Sequence, residues 1–140
     1  MRVSISVTDH TWPGGPEAMR GHLGALAKAA DDAGVDTLWL PDHLIQADPR
    51  LSDDAEMLET YTTLGFIAAL TERVRLGAAV TPVSYRSPAV VVKAVTTLDV
   101  LSGGRAWLGV GAGYSEGEAR GMGLDFPETA ERFERLREML

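Results

Sequence analysis

The chain contains no cysteine, so a disulfide framework, a thiolate metal site and a cysteine nucleophile are all excluded. Lysine is nearly absent: only Lys28 and Lys93 stand among 13 basic residues, against 20 acidic ones. The resulting net charge of −7 argues against a nucleic-acid surface, which needs clustered cations to neutralise phosphates. No apolar run approaches the roughly 18 residues of a membrane-spanning helix. The three histidines, His10, His22 and His43, lack the i,i+4 spacing of a helical metal site. Nor does a Gly-Lys-Ser/Thr triplet occur to close a P-loop. The opening residues carry no signal-peptide pattern, and a cytoplasmic domain is the expectation.

What the sequence does contain is alternation. Its 140 residues are 45% hydrophobic and 24% charged, close to the globular average. Val3, Ile5 and Val7 alternate with small polar residues as in a strand. After Gly14-Gly15-Pro16, the positions Met19, Leu23, Leu26, Ala27 and Ala30 recur at helical spacing until Gly34. A second strand is predicted at Thr37–Leu40, ended by Pro41. A second helix is expected from Ser52 or Asp53, where Asp53 and Glu56 sit at capping-box spacing, through Leu70. The third strand is predicted over Val74–Val80. Ser87-Pro88 then reads as a cap and first turn for a helix turning Val91, Val92, Val95, Leu98 and Leu101 inward. A fourth strand follows at Ala106–Val110. A last helix begins near Glu128 and reaches Leu140 without a stop signal.

The order βαβαβαβα implies a parallel sheet with helical crossovers. Two architectures accommodate it. A doubly wound open sheet can be complete at this length. A (β/α)8 barrel needs about 250 residues, so here only its first four βα units would be present. In both, ligands collect at the carboxyl ends of the strands. Asp42-His43, after the second strand, is the best chemical pair there. An imidazole can exchange a proton near neutral pH, and a neighbouring carboxylate can bias its tautomer. The glycine-rich stretch Gly109 to Ser115, after the fourth strand, could cradle an anion on backbone N–H groups, with a following helix start adding positive potential. It departs from the dinucleotide fingerprint, because Tyr114 or Glu116 occupies the third glycine position.

These residues together resemble the bacterial luciferase-like monooxygenase superfamily. The resemblance is carried by Trp39-Leu40-Pro41-Asp42-His43-Leu44, by Leu76 to Pro82, by Thr97 to Arg105 and by Leu108 to Tyr114. The tail continues it in Gly123 to Pro127 and Arg132 to Leu136. The overall wording is similar to the deazaflavin (coenzyme F420) branch. The resemblance implies the barrel architecture, with residues 1–140 as its N-terminal half, interrupted in the last helix. It implies an F420- or FMN-dependent oxidoreductase acting on a small organic substrate, with His43 and Asp42 as catalytic residues. Ala79, Val80 and Thr81 would back the cofactor ring, at a non-prolyl cis peptide between Ala79 and Val80. Gly111, Ala112, Gly113, Tyr114 and Ser115 would carry its phosphate-bearing tail. The missing strands would come from a C-terminal half or from self-association into a homo-oligomer. An FMN-dependent monooxygenase, a non-catalytic flavin-binding half-barrel and a complete doubly wound domain are the alternatives.

Overall fold

The strands of the chain lie side by side in the order in which they occur along it. The computed structural model describes residues 1–52 and 54–140; the proposed cap at Asp53 lies outside the described residues. Strands β1 (Ser4–Ser6), β2 (Thr37–Leu40), β3 (Arg75–Ala78) and β5 (Ala106–Trp107) form a four-stranded sheet in the order β1-β2-β3-β5. Every neighbouring pair is parallel, with Leu38 opposite Leu76 and Gly77 opposite Trp107. Short strands β4 (Thr81–Pro82) and β6 (Val110–Gly111) extend the third and fourth strands upward as a second parallel pair. This order never reverses. A doubly wound sheet requires a reversal at its switch point, so that alternative is set aside and the four βα units follow barrel order.

Helices α1 (Gly15–Asp32), α2 (Thr60–Ala68) and α3 (Pro88–Ser102) supply the crossovers. Leu38, Leu40 and Leu76 occupy alternate strand positions, so their side chains share one face. They pack with Leu23, Ala27, Leu64, Ile67 and Leu98 from the helices. Leu38, Leu64, Ile67 and Leu76 are fully buried, each worth about 2 kcal/mol of apolar burial. The opposite face holds Trp39 and Trp107, and Trp107 remains 43% exposed. Among the described residues, no helix is long and apolar enough to cross a membrane.

Several expectations are corrected. Helix α2 begins at Thr60 rather than near Ser52, because the carboxylate of Glu59 caps it by accepting from the N–H groups of Tyr61 and Thr62. Ser87 precedes Pro88 as expected, yet its hydroxyl makes no cap bond. In α3, Val91 and Leu98 turn inward, whereas Val92 and Leu101 are exposed. A short helix, α4 (Glu116–Gly121), follows the glycine-rich stretch, ahead of the last helix. The last helix, α5 (Thr129–Met139), has no buried residue, and its Phe133 is exposed. The Ala79–Val80 peptide is cis, between β3 and β4, where the resemblance locates it.

Candidate active site

The parallel strands send their carboxyl ends to one rim, and the loops there enclose a cavity of about 360 Å³. His43, Tyr114, Ala79, Pro41, Gln46 and Arg50 are among its lining residues. Strand β2 ends at Leu40, and Pro41 turns the chain so that Asp42 points back into the protein while His43 reaches the cavity. Thr60 secures this turn by donating its hydroxyl to the Pro41 carbonyl at 2.7 Å.

Asp42 is almost fully buried at 1% exposure, and burying a carboxylate is costly unless it is paired. Arg86 pairs it bidentately, Nη1 donating to Oδ2 at 2.6 Å and Nη2 to Oδ1 at 3.0 Å. The same guanidinium donates to Glu59 at 2.7 Å and lies over the Tyr61 ring, 5.3 Å from its centroid. Asp42 is thus committed to Arg86 and does not touch the histidine ring. The expected partnership of adjacent residues is replaced by one between distant ones.

The carboxylate that meets His43 is Glu118, on α4. Its Oε2 lies 2.7 Å from His43 Nδ1, and its Oε1 accepts the N–H of Leu44 at 2.5 Å and of Ile45 at 3.4 Å. Burial acts to raise the Glu118 pKa. The nearby Tyr85 hydroxyl, the His43 ring and the Leu44 N–H outweigh it, and hold the carboxyl below its usual range. Tyr85 is itself buried, its hydroxyl without a hydrogen bond of ordinary geometry. Burial and the Glu118 charge push its pKa well above the usual phenol value. The other nitrogen of His43, Nε2, faces the Tyr114 hydroxyl at 3.1 Å, with the two rings edge to face at 5.6 Å. Only 14% of the His43 side chain is exposed, whereas Tyr114 is 75% exposed.

The remaining predicted residues divide. Ala79 lines the cavity, and Val80 is 47% exposed beside it. Thr81 is fully buried instead, with its hydroxyl 2.7 Å from that of Tyr61, so its side chain supports the rim from behind. Gly111, Ala112, Gly113 and Ser115 are half-buried along the rim. Two glycines there are dictated by geometry. A Cβ on Gly109 would fall 2.1 Å from the Ala78 carbonyl oxygen, and Gly113 adopts a φ of +79°. The helix start after this loop brings Glu116 and Glu118 in its first turn, so the positive potential expected there is offset. His10, after β1, is buried with neither ring nitrogen partnered, and burial lowers its pKa.

Sequence reasoning missed Glu118 and the pairing of Arg86 with Asp42. A local signal for the first existed: Ser115 and Glu118 have the S-x-x-E spacing of a helix start. The carboxylate turns to His43 rather than back to its own helix.

Four βα units in chain order, with a parallel sheet, helices along one face and a cavity at the carboxyl ends, have the arrangement of half a (β/α)8 barrel. The luciferase-like monooxygenase family model matches residues 1–140, and the chain belongs to that family. It is 41% identical over 119 residues to an F420-dependent glucose-6-phosphate dehydrogenase of Kineococcus radiotolerans, covering 84% of this chain and 34% of that protein. Among solved structures it is similar to the coenzyme F420-dependent tetrahydromethanopterin reductase of Methanopyrus kandleri. There the identity is 26% and the TM-score 0.68, covering 90% of this chain and 31% of that one. The oxygenating constituent of 3,6-diketocamphane monooxygenase of Pseudomonas putida, in complex with FMN, shares the fold. Its TM-score is 0.77 at 17% identity, over 99% of this chain and 38% of that one. The chain spans about a third of the length of the curated relatives it matches.

Proposed function

We propose that this chain forms the cofactor-facing part of a deazaflavin-dependent oxidoreductase, which transfers hydride between coenzyme F420 and a small organic substrate. The observation that carries the reading is the histidine at the strand-end cavity, anchored from behind by a buried carboxylate and meeting the exposed, cavity-lining Tyr114 on its other nitrogen. The F420-dependence of the 41%-identical relative favours this cofactor over FMN.

The residues present fit a flat ring system. Ala79 and the exposed Val80 offer an apolar rest at the rim, and the half-buried Gly111–Gly113 backbone allows close approach beside it. On this reading Ala79 and Val80 back the ring, and Thr81 braces them through Tyr61. Gly111, Ala112, Gly113, Tyr114 and Ser115 hold the adjoining part of the cofactor. When bound, a deazaflavin supplies a two-electron hydride carrier that reacts poorly with oxygen. The protein's part is to orient the substrate, exclude water and hold a proton at His43, with Asp42 fixing the loop through Arg86.

Further βα units of the same polypeptide, or a second copy of the chain, close the cavity on this reading. The exposed Trp107 and Val80 support that arrangement by leaving an apolar face to cover. We place the reaction in the cytoplasm.

The test is spectrophotometric. Oxidised F420 is offered to the protein with a panel of alcohols, and absorbance is followed with and without oxygen; FMN reduced beforehand with dithionite is offered separately with the same panel and oxygen. Bleaching of F420 independent of oxygen is expected. Oxygenated product from the reduced FMN, with no bleaching of F420, would establish the monooxygenase instead.

A further inference from the structure

The residue 75 positions along the chain from His43 holds one of its two ring nitrogens, Nδ1, at 2.7 Å. Glu118 is 3% exposed, and each of its oxygens faces donors: Leu44 and Ile45 N–H groups at Oε1, the imidazole at Oε2. An ionised carboxylate only accepts hydrogen bonds. The donors around it hold it ionised at neutral pH. His43 Nδ1 must therefore bear a hydrogen whether the ring is neutral or cationic. In the neutral ring the other nitrogen, Nε2, then has a free lone pair, and the Tyr114 hydroxyl 3.1 Å away is its donor. Asp42 cannot reverse this, because Arg86 occupies both of its oxygens.

We infer that Glu118 is a positioning residue that fixes His43 in the Nδ1–H form, so that Nε2 meets the cavity as a proton acceptor, and that Tyr114 fills this acceptor until a hydroxyl-bearing substrate takes its place. The inference deepens the proposed function and rests on it for the identity of the cavity. It assigns an alcohol, which donates, rather than a carbonyl compound, which only accepts, as the ligand recognised by the neutral ring. The geometry also explains why α4 is pinned to the β2 loop: one carboxylate simultaneously holds the loop backbone and the ring.

Imidazole nitrogen spectroscopy on the ¹⁵N-labelled full chain tests this without cofactor or turnover. At about pH 9, above the ordinary imidazole range, His43 is expected to show a protonated-type Nδ1 signal and an unprotonated-type Nε2 signal. In Glu118→Gln the amide oxygen stays with the Leu44 and Ile45 N–H groups, which leaves the NH2 facing Nδ1. The two nitrogen signals are then expected to exchange positions. Tyr114→Phe should leave them as in the unaltered chain. A hydrogen on Nε2 in the unaltered chain overturns the inference, and that spectrum decides even if Glu118→Gln does not fold. An unchanged pattern in folded Glu118→Gln, or an exchanged one in Tyr114→Phe, overturns it as well. Failure to bind F420 would count against the proposed function and leave these spectra standing.

Discussion

The two ends of the sheet both bury charge, and they dispose of it differently. At the amino end, Asp31 is 7% exposed and accepts the backbone N–H groups of Glu72, Arg73 and Val74 at 3.1, 2.8 and 2.7 Å. Beside it, the Arg105 guanidinium donates to the carbonyls of Ala68, Thr71, Val74 and Ser102 and to the Thr71 hydroxyl. These charges are satisfied almost wholly by backbone, which ties the end of α1 and the end of α2 to the strands. At the carboxyl end the charges are satisfied by other side chains, Asp42 by Arg86 and Glu118 partly by His43. Backbone partners lock a charge in place for stability. Side-chain partners leave one ring nitrogen directed outward, where a ligand can use it. This division matches the general rule that barrels keep chemistry at the carboxyl face and stability at the amino face.

The contrast can be broken first at the stabilising end. Arg105→Met abandons five oxygen acceptors and should cost about 3–5 kcal/mol in urea unfolding. F420 affinity of the folded fraction should be unchanged. At the carboxyl end, Arg86→Leu strands the fully buried Asp42 carboxylate and should cost about 3 kcal/mol. Adding Asp42→Asn should recover part of that loss, which a double-mutant cycle would measure. His43→Gln sharpens the difference from the other side. Stability should change by less than about 1 kcal/mol, while single-turnover bleaching of F420 slows by about 100-fold or more.

The smallest effect is a pH dependence. The Asp31 carboxyl would be raised by burial, but its three N–H donors and Arg73 hold it below the usual range when folded. A depressed folded pKa stabilises above the unfolded value, near pH 4, and that contribution is lost as pH falls through the folded value. Asp31→Asn should therefore lie about 1–2 kcal/mol below the unaltered chain at pH 7. The gap should close in acid, as denaturation curves at several pH values would show.

Much of this frame was legible because it is written locally. The second strand, the first helix with its glycine stop and the loop carrying Asp42-His43 each depend on a few consecutive residues. The position of His43 at the cavity follows from its place one turn beyond a strand. The partnerships do not follow, since they join residues 44 and 75 positions apart. Adjacency suggested that Asp42 serves His43, but side chains of consecutive residues diverge, and Asp42 is directed into the protein toward Arg86. Helix α2 was misread for a related reason. Met57 and Leu58 extend its apolar rhythm upstream, yet both lie outside the helix, on the segment whose Glu56 carbonyl accepts from Gln46 at 3.4 Å. Val92 and Leu101 look like core by composition, but the face of α3 that meets the sheet is narrower than its apolar content.

Hydrogen exchange of backbone amides, with and without F420, tests most directly whether the carboxyl end is the working face. Slowed exchange is expected over residues 41–50 and 109–116 on adding F420, with no change over residues 71–75 and 102–106. Protection confined to the amino end, or to the outer groove that α2 and α3 form around Lys93 and Leu101, would contradict it.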